Sequence, residues 1–244
     1  MSDPTPAPAE PAPPPGTTAP AAGVSPAGAG APPALPAGAL RSLPTGFYLR
    51  PVLEVARDLL GRLLVHDAPE GRTAVRLVEV EAYDGSGRDP ASHAYRGQTR
   101  RNAVMFGPPG RLYVYFTYGM HYCVNVVCAP AGVAQAVLLR AGEPVLGADL
   151  MAARRPASSR RDLARGPARL TEALALGAWA NGADLHAGPV LLTQGWPVAD
   201  AEVAWTGRVG VSAGAERPWR ALVTTSRHVS PGRPGPAARR RRPS

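Results

Sequence analysis

The sequence predicts a mixed α+β fold: one domain with a curved, largely antiparallel sheet, flanking helices and a protruding β-hairpin. Three observations point there. Segments of helical and strand period follow one another irregularly, without a βαβ repeat or any internal repeat. Residues 112–117 and 122–128 read as two strands joined by a tight turn at 118–121, the pattern of a hairpin. The chain has 244 residues, and removing its biased termini leaves about 190, enough for one sizeable core.

Taken in order, residues 51–65 carry Leu53, Ala56, Leu60 and Leu63/Leu64 at helical spacing, with Pro51 suited to a first turn, and predict an amphipathic helix. Residues 73–82 are Val-rich, alternate, and end in acid, so they predict a strand. After the hairpin, 133–141 reads as a strand, 144–154 and 167–176 as helices, and 189–193, 208–212 and 220–225 as short strands.

The termini differ in composition from the rest. Residues 1–39 hold 12 Pro, 12 Ala and 5 Gly, with Asp3 and Glu10 as the only charges, and predict a disordered arm. Residues 232–244 predict a disordered Arg-rich tail, leaving 40–231 as the folded domain. No secretory signal pattern or membrane-length apolar run is present, so a cytoplasmic location is expected, without membrane association. The net charge is +9, and most of the excess lies in the predicted domain, with 22 Arg against 16 acidic residues. A basic surface suits a polyanionic partner, although an ordinary solvated face fits the same count.

All 27 basic residues are Arg. Without lysine, Schiff-base chemistry through an ε-amine is excluded. Cys123 and Cys128 lie five apart; on one strand they would point to opposite faces about 16 Å apart, too far for a disulfide. No Cys-x-x-Cys spacing suggests a structural zinc.

The hairpin gathers four of the seven tyrosines between positions 113 and 122. Period two puts Tyr113, Tyr115 and Thr117 on one face, with Val114, Phe116 and Tyr118 on the other. Tyr118 and Met120 flank Gly119 at a tip with little core to fill, an arrangement suited to a wedge that parts base steps and fills the place of an extruded nucleotide. An extruded base needs aromatic walls, since stacking of about 1–3 kcal/mol per base offsets much of the cost of extrusion. Candidate walls lie nearby. Glu79, Glu81 and Tyr83 share one face of a strand end, and His93 follows in a loop. Singly, each also fits a solvated strand face or a structural histidine.

The ordered set Glu79-Val-Glu-Ala-Tyr83, Ala91-Ser-His93, Thr99-Arg-Arg-Asn102, Met105-Phe106, Leu112-Tyr-Val-Tyr115, Tyr118-Gly-Met120, Asn125, Leu138-Leu-Arg-Ala141, Gly166-Pro167, Gly207-Arg-Val-Gly-Val211 and Arg217-Pro-Trp-Arg220 closely resembles the alkyladenine (3-methyladenine) DNA glycosylase family, from about Leu49 to Ser230. The resemblance implies a DNA glycosylase that flips and excises alkylated or deaminated purines from double-stranded DNA, a duplex that a monomer can serve, and a monomer is expected. It implies that Glu81 activates water and Arg140 helps hold that water. Tyr83, His93 and Tyr115 would wall the base pocket, with Asn125 on its floor obstructing the amino group of guanine. Tyr118 would intercalate beside Met120, and Tyr113 and Tyr122 would be sheet packing. Hydrolysis of this kind requires no metal or diffusible cofactor. Strand cutting by glycosylases needs an attacking amine, so a lysine-free chain is expected to be monofunctional. Arg100, Arg101 and the tail arginines are phosphate-contact candidates. Two positions depart from the family: Arg100 stands where proline is usual, and Ala221 where an aromatic is usual. Alternative readings are a non-catalytic minor-groove lesion binder, and a metal-dependent hydrolase using His93, His121 and Glu81.

Overall fold

The computed structural model describes residues 41–117 and 119–232. Helices α1 (Thr45–Tyr48) and α2 (Val52–Leu59) lead into strands β1 (Leu63–Ala68), β2 (Gly71–Tyr83), β3 (Leu112–Thr117), β4 (His121–Cys128) and β5 (Gln135–Leu146). Helices α3 (Ala148–Arg154) and α4 (Pro167–Ala173) follow, then short strands β6 (Val190–Thr193), β7 (Val203–Thr206) and β8 (Arg220–Val223). The strands form one antiparallel sheet in the order β3-β4-β5-β2-β1-β6, with β8 pairing β2 and β7. The expected α+β class and antiparallel sheet are therefore present, as are the two hairpin strands.

Several elements differ from expectation. The helix expected over 51–65 stops at Leu59, and Leu63, Leu64 and Val65 belong to β1. Gly61 forces the break: it has φ 84°, and a Cβ there would stand 2.0 Å from the Trp196 carbonyl oxygen. The buried stripe of α2 is accordingly Val52, Val55, Ala56 and Leu59. The strand expected at 133–141 runs on to Leu146, so the following helix begins at Ala148 rather than 144. Residues 208–212 form no strand; β7 lies earlier, at Val203–Thr206.

The sheet separates two apolar layers. On one face Leu112, Val114, Val124, Val126, Val137 and Leu139 join α2 and α4 in the main core. On the other, Tyr113, Val127 and Ala136 form a smaller cluster with Ala94 and Met105. Strand β2 changes phase between them. Val75 and Leu77 face the main core, and so do Val78, Val80 and Ala82, because the pairing with β5 shifts between Leu77 and Glu79 and leaves Val78 as an extra residue. This bulge turns Glu79 and Glu81 to the face opposite Leu77, where strict alternation would have set all three together.

Candidate active site

Register assembles the site in one row across the sheet. Tyr113 on β3 pairs with Asn125 on β4, Asn125 with Leu138 on β5, Leu138 with Glu81 on β2, and Glu81 with Arg220 on β8. On this face a cavity of about 270 Å³ is lined by Tyr83, His93, Tyr113, Tyr115, Asn125 and Arg140, with Cys123, Leu138 and Val209–Val211 among the remaining lining. That lies just below the usual range of ligand pockets, about 300 to 1,000 Å³, and suits a single heterocycle better than a whole nucleotide.

Glu81 is fully buried directly behind this wall. Its Oε1 accepts the Val209 backbone N–H at 2.7 Å and faces Arg140 Nη1 at 3.2 Å; its Oε2 accepts the Tyr83 hydroxyl at 2.8 Å. All three covering residues line the cavity. A carboxylate offers about four acceptor directions, so Oε2 keeps one free.

Arg140 is oriented from behind by Glu79. The Glu79 carboxylate accepts Arg140 Nε at 2.7 Å, Arg220 Nε at 2.7 Å, the Ser230 N–H at 2.6 Å and the Ser230 hydroxyl at 2.9 Å. Burial opposes ionisation of Glu79, but Arg140, Arg220 and the Ser230 N–H more than offset it and hold the carboxyl below its ordinary value. Burial likewise works against the Arg140 charge, and Glu81 and Glu79 outweigh it, raising the guanidinium above its usual range.

The aromatic walls support one another. The His93 and Tyr115 rings meet edge to face with centroids 4.5 Å apart. His93 Nδ1 lies 3.0 Å from the Tyr113 hydroxyl, and Asn102 holds the loop by donating to the His93 carbonyl at 2.8 Å. Partial desolvation, reinforced by nearby Arg101, lowers the His93 imidazole below its ordinary value, although the residue keeps solvent exposure. Burial raises the phenols of Tyr83 and Tyr115, and the neighbouring Glu81 carboxylate adds to both shifts, so both remain protonated. Asn125 donates its amide N–H to the Tyr113 carbonyl at 3.2 Å, which fixes its orientation at the cavity wall.

The structure thus brings together Glu81, Arg140, Tyr83, His93, Tyr115 and Asn125. Tyr113, expected to be sheet packing, also lines the cavity and contacts His93; it shares a face with Tyr115, as their spacing of two required. Met120 is 68% exposed at the hairpin tip. Tyr118, the expected intercalating residue, lies outside the described residues. Arg100 is exposed, and Arg101 donates to the Phe116 carbonyl at 3.0 Å, tying its loop to β3. Sequence reasoning missed Arg220, Ser230, Asp89 and Arg208. The last two came from stretches read as a loop and a strand, and only tertiary contact reveals their pairing. Both cysteines are free and buried. Among the described residues, no three His, Cys, Asp or Glu side chains gather as metal ligands, and no helix is long and apolar enough to cross a membrane.

These features sit in a chain whose relatives are well defined, and it takes its place among the enzymes that hydrolyse N-glycosyl bonds in DNA. It belongs to the Methylpurine-DNA glycosylase (MPG) family, whose model matches residues 46–227. A protein of Streptomyces avermitilis is 52% identical over 200 residues, covering 80% of this chain and 93% of the relative. One from Carboxydothermus hydrogenoformans is 50% identical over 77% of this chain and 98% of its own length. One from Methanoculleus marisnigri is 49% identical over 78% and 98% respectively. All three carry the name "Putative 3-methyladenine DNA glycosylase".

Proposed function

We propose that this enzyme is a monofunctional glycosylase that draws a damaged purine, such as 3-methyladenine or hypoxanthine, out of duplex DNA and hydrolyses its N-glycosidic bond, leaving an abasic site for base excision repair. The observation that carries this reading is the Glu81 carboxylate set directly behind an aromatic-walled cavity of single-base size, paired with Arg140 in the cavity lining.

The extruded base stacks among Tyr83, His93 and Tyr115. A water entering between Arg140 and Tyr83 donates to the free acceptor direction of Glu81 Oε2. As the glycosidic bond lengthens, the sugar gains oxocarbenium character, which the carboxylate stabilises while taking the proton of the attacking water. Arg140, fixed in its charged state, orients that water and Glu81 but supplies no proton. A base such as 3-methyladenine already carries positive charge and departs without a strong general acid. Asn125, at the cavity floor, blocks the exocyclic amino group of guanine. Met120 and Tyr118 occupy the gap in the duplex, and Arg100 and Arg101 contact phosphates. The enzyme works as a monomer in the cytoplasm, and no step draws on a metal or cofactor.

The test is to incubate the protein, with a chelator present, with duplexes carrying 3-methyladenine or hypoxanthine and to measure free base and alkali-labile sites. Base release without strand cleavage is expected. Tight lesion binding with no release would favour the binding-protein reading, and release abolished by the chelator would favour a metal hydrolase.

A further inference from the structure

Arg208 is fully buried, as is its partner Asp89. Its guanidinium grips Asp89 with a two-pronged fork at 2.6 and 2.8 Å and donates to the carbonyls of Ala82 at 3.0 Å and Gly214 at 3.2 Å, while Nε has no partner. Its Cζ lies 4.6 Å over the Tyr83 ring and 5.3 Å over that of Trp219. A buried ion pair of this kind gains little net stability over an apolar pair of similar volume, because desolvation cancels much of the attraction. Its presence calls for another explanation.

That explanation lies in what the pair joins. Asp89 also accepts the backbone N–H groups of Asp84 and Ala91 at 3.2 Å each, so it shapes the loop that leads from Tyr83 to His93. Arg208 braces the Tyr83 ring without lining the cavity. The residue after it, Val209, delivers its N–H to Glu81 and begins the stretch Val209–Val211 that closes one side of the cavity. Gly214 is shaped to the pair: it has φ 65°, and a Cβ there would come 2.9 Å from Arg208 Nη2 and 3.3 Å from Asp89 Oδ1.

We propose that Arg208 and Asp89 are the positioning pair of this site, locking the Tyr83 wall, the His93 loop and the Val209 contact to Glu81 in one geometry, with neither residue touching the base. The inference rests on the function proposed above. The fork and the planar stack both need a guanidinium, so lysine should fail to substitute.

The experiment compares wild type, Arg208→Lys and Gly214→Ala in single-turnover release of 3-methyladenine. Each protein is also measured for binding to a duplex with an abasic site, which puts no base in the cavity, and for thermal unfolding. For Arg208→Lys, a fall in the release rate of about 10- to 100-fold is expected, with abasic-duplex affinity held within about twofold and the protein folded. If that variant yields no folded protein, Gly214→Ala carries the test: it keeps both charges but presses a methyl group on the pair, and a smaller loss of the same type is expected. Release within about twofold of wild type would overturn the proposal, and so would release and binding that fall together in proportion to the folded fraction. No release by wild type would instead overturn the functional reading itself.

Discussion

Glu79 and Glu81 stand two residues apart on β2 and meet the same arginine, yet their surroundings differ. Glu79 takes four donors, from Arg140, Arg220 and Ser230, and lies away from the cavity. Glu81 takes the Val209 and Tyr83 donors beside Arg140 and retains a free acceptor direction. The Glu79 environment has a consequence for acid stability. Its folded ionisation lies below the ordinary value of 4.5, so as pH falls the unfolded chain binds this proton first. The network's contribution is complete above that value and is lost as pH falls through the folded one. Glu79→Gln should cost about 3–5 kcal/mol near neutrality, as expected when one partner of a buried ion pair is removed. Urea unfolding across pH should find this difference between wild type and variant shrinking below about pH 4.5; a difference that grew on acidification would contradict the assignment.

At the scale of elements, the turn between α2 and β1 and the β3–β4 hairpin make separate demands. Gly61→Ala meets both a positive φ and the Trp196 carbonyl at 2.0 Å. Thermal denaturation should show destabilisation of at least about 2 kcal/mol, since strain and backbone displacement add. Met120, exposed at the hairpin tip, should behave oppositely. Met120→Ser should leave stability within about 0.5 kcal/mol, while filter binding finds several-fold weaker affinity for lesion duplex. These elements also mark what could be read from the sequence. Alternation on β3 was legible, and it set Tyr113, Tyr115 and Thr117 on the cavity face. The end of α2 was not, because Leu60, Leu63 and Leu64 continue a helical period and the obstacle at Gly61 comes from Trp196, far away in sequence. The bulge at Val78 was equally hidden: Glu79, Glu81 and Tyr83 could be seen to share a face, but their face relative to Leu77 depends on pairing with β5. Of the site, the cavity walls and the Glu81–Arg140 pair were legible through family motifs. Asp89, Arg208, Arg220 and Ser230 were not, since each acts through partners up to 151 residues distant.

At the scale of the whole molecule, the route of the chain matters. Gly232, the last described residue, packs beside the site: a Cβ there would lie 2.7 Å from Val209 and 3.3 Å from Arg140 Nη2. The described chain therefore ends next to the cavity, and residues 233–244, with the tail arginines, lie outside the described residues. Deleting Arg239–Arg242 should reduce the slope of log affinity against log salt by up to about 3.6, at about 0.9 per phosphate neutralised. The single-turnover rate at saturating enzyme should be unchanged, which separates duplex capture from chemistry. An unaltered salt slope would show that these arginines make no phosphate contacts.

The most direct test of the account is single-turnover base release by Glu81→Gln from a 3-methyladenine duplex, with binding to the same duplex measured in parallel. Removing a well-placed general base should slow release by about 10²- to 10⁴-fold while affinity stays near that of wild type. Free base appearing within about threefold of the wild-type rate would contradict the claim that this buried carboxylate directs water at the sugar.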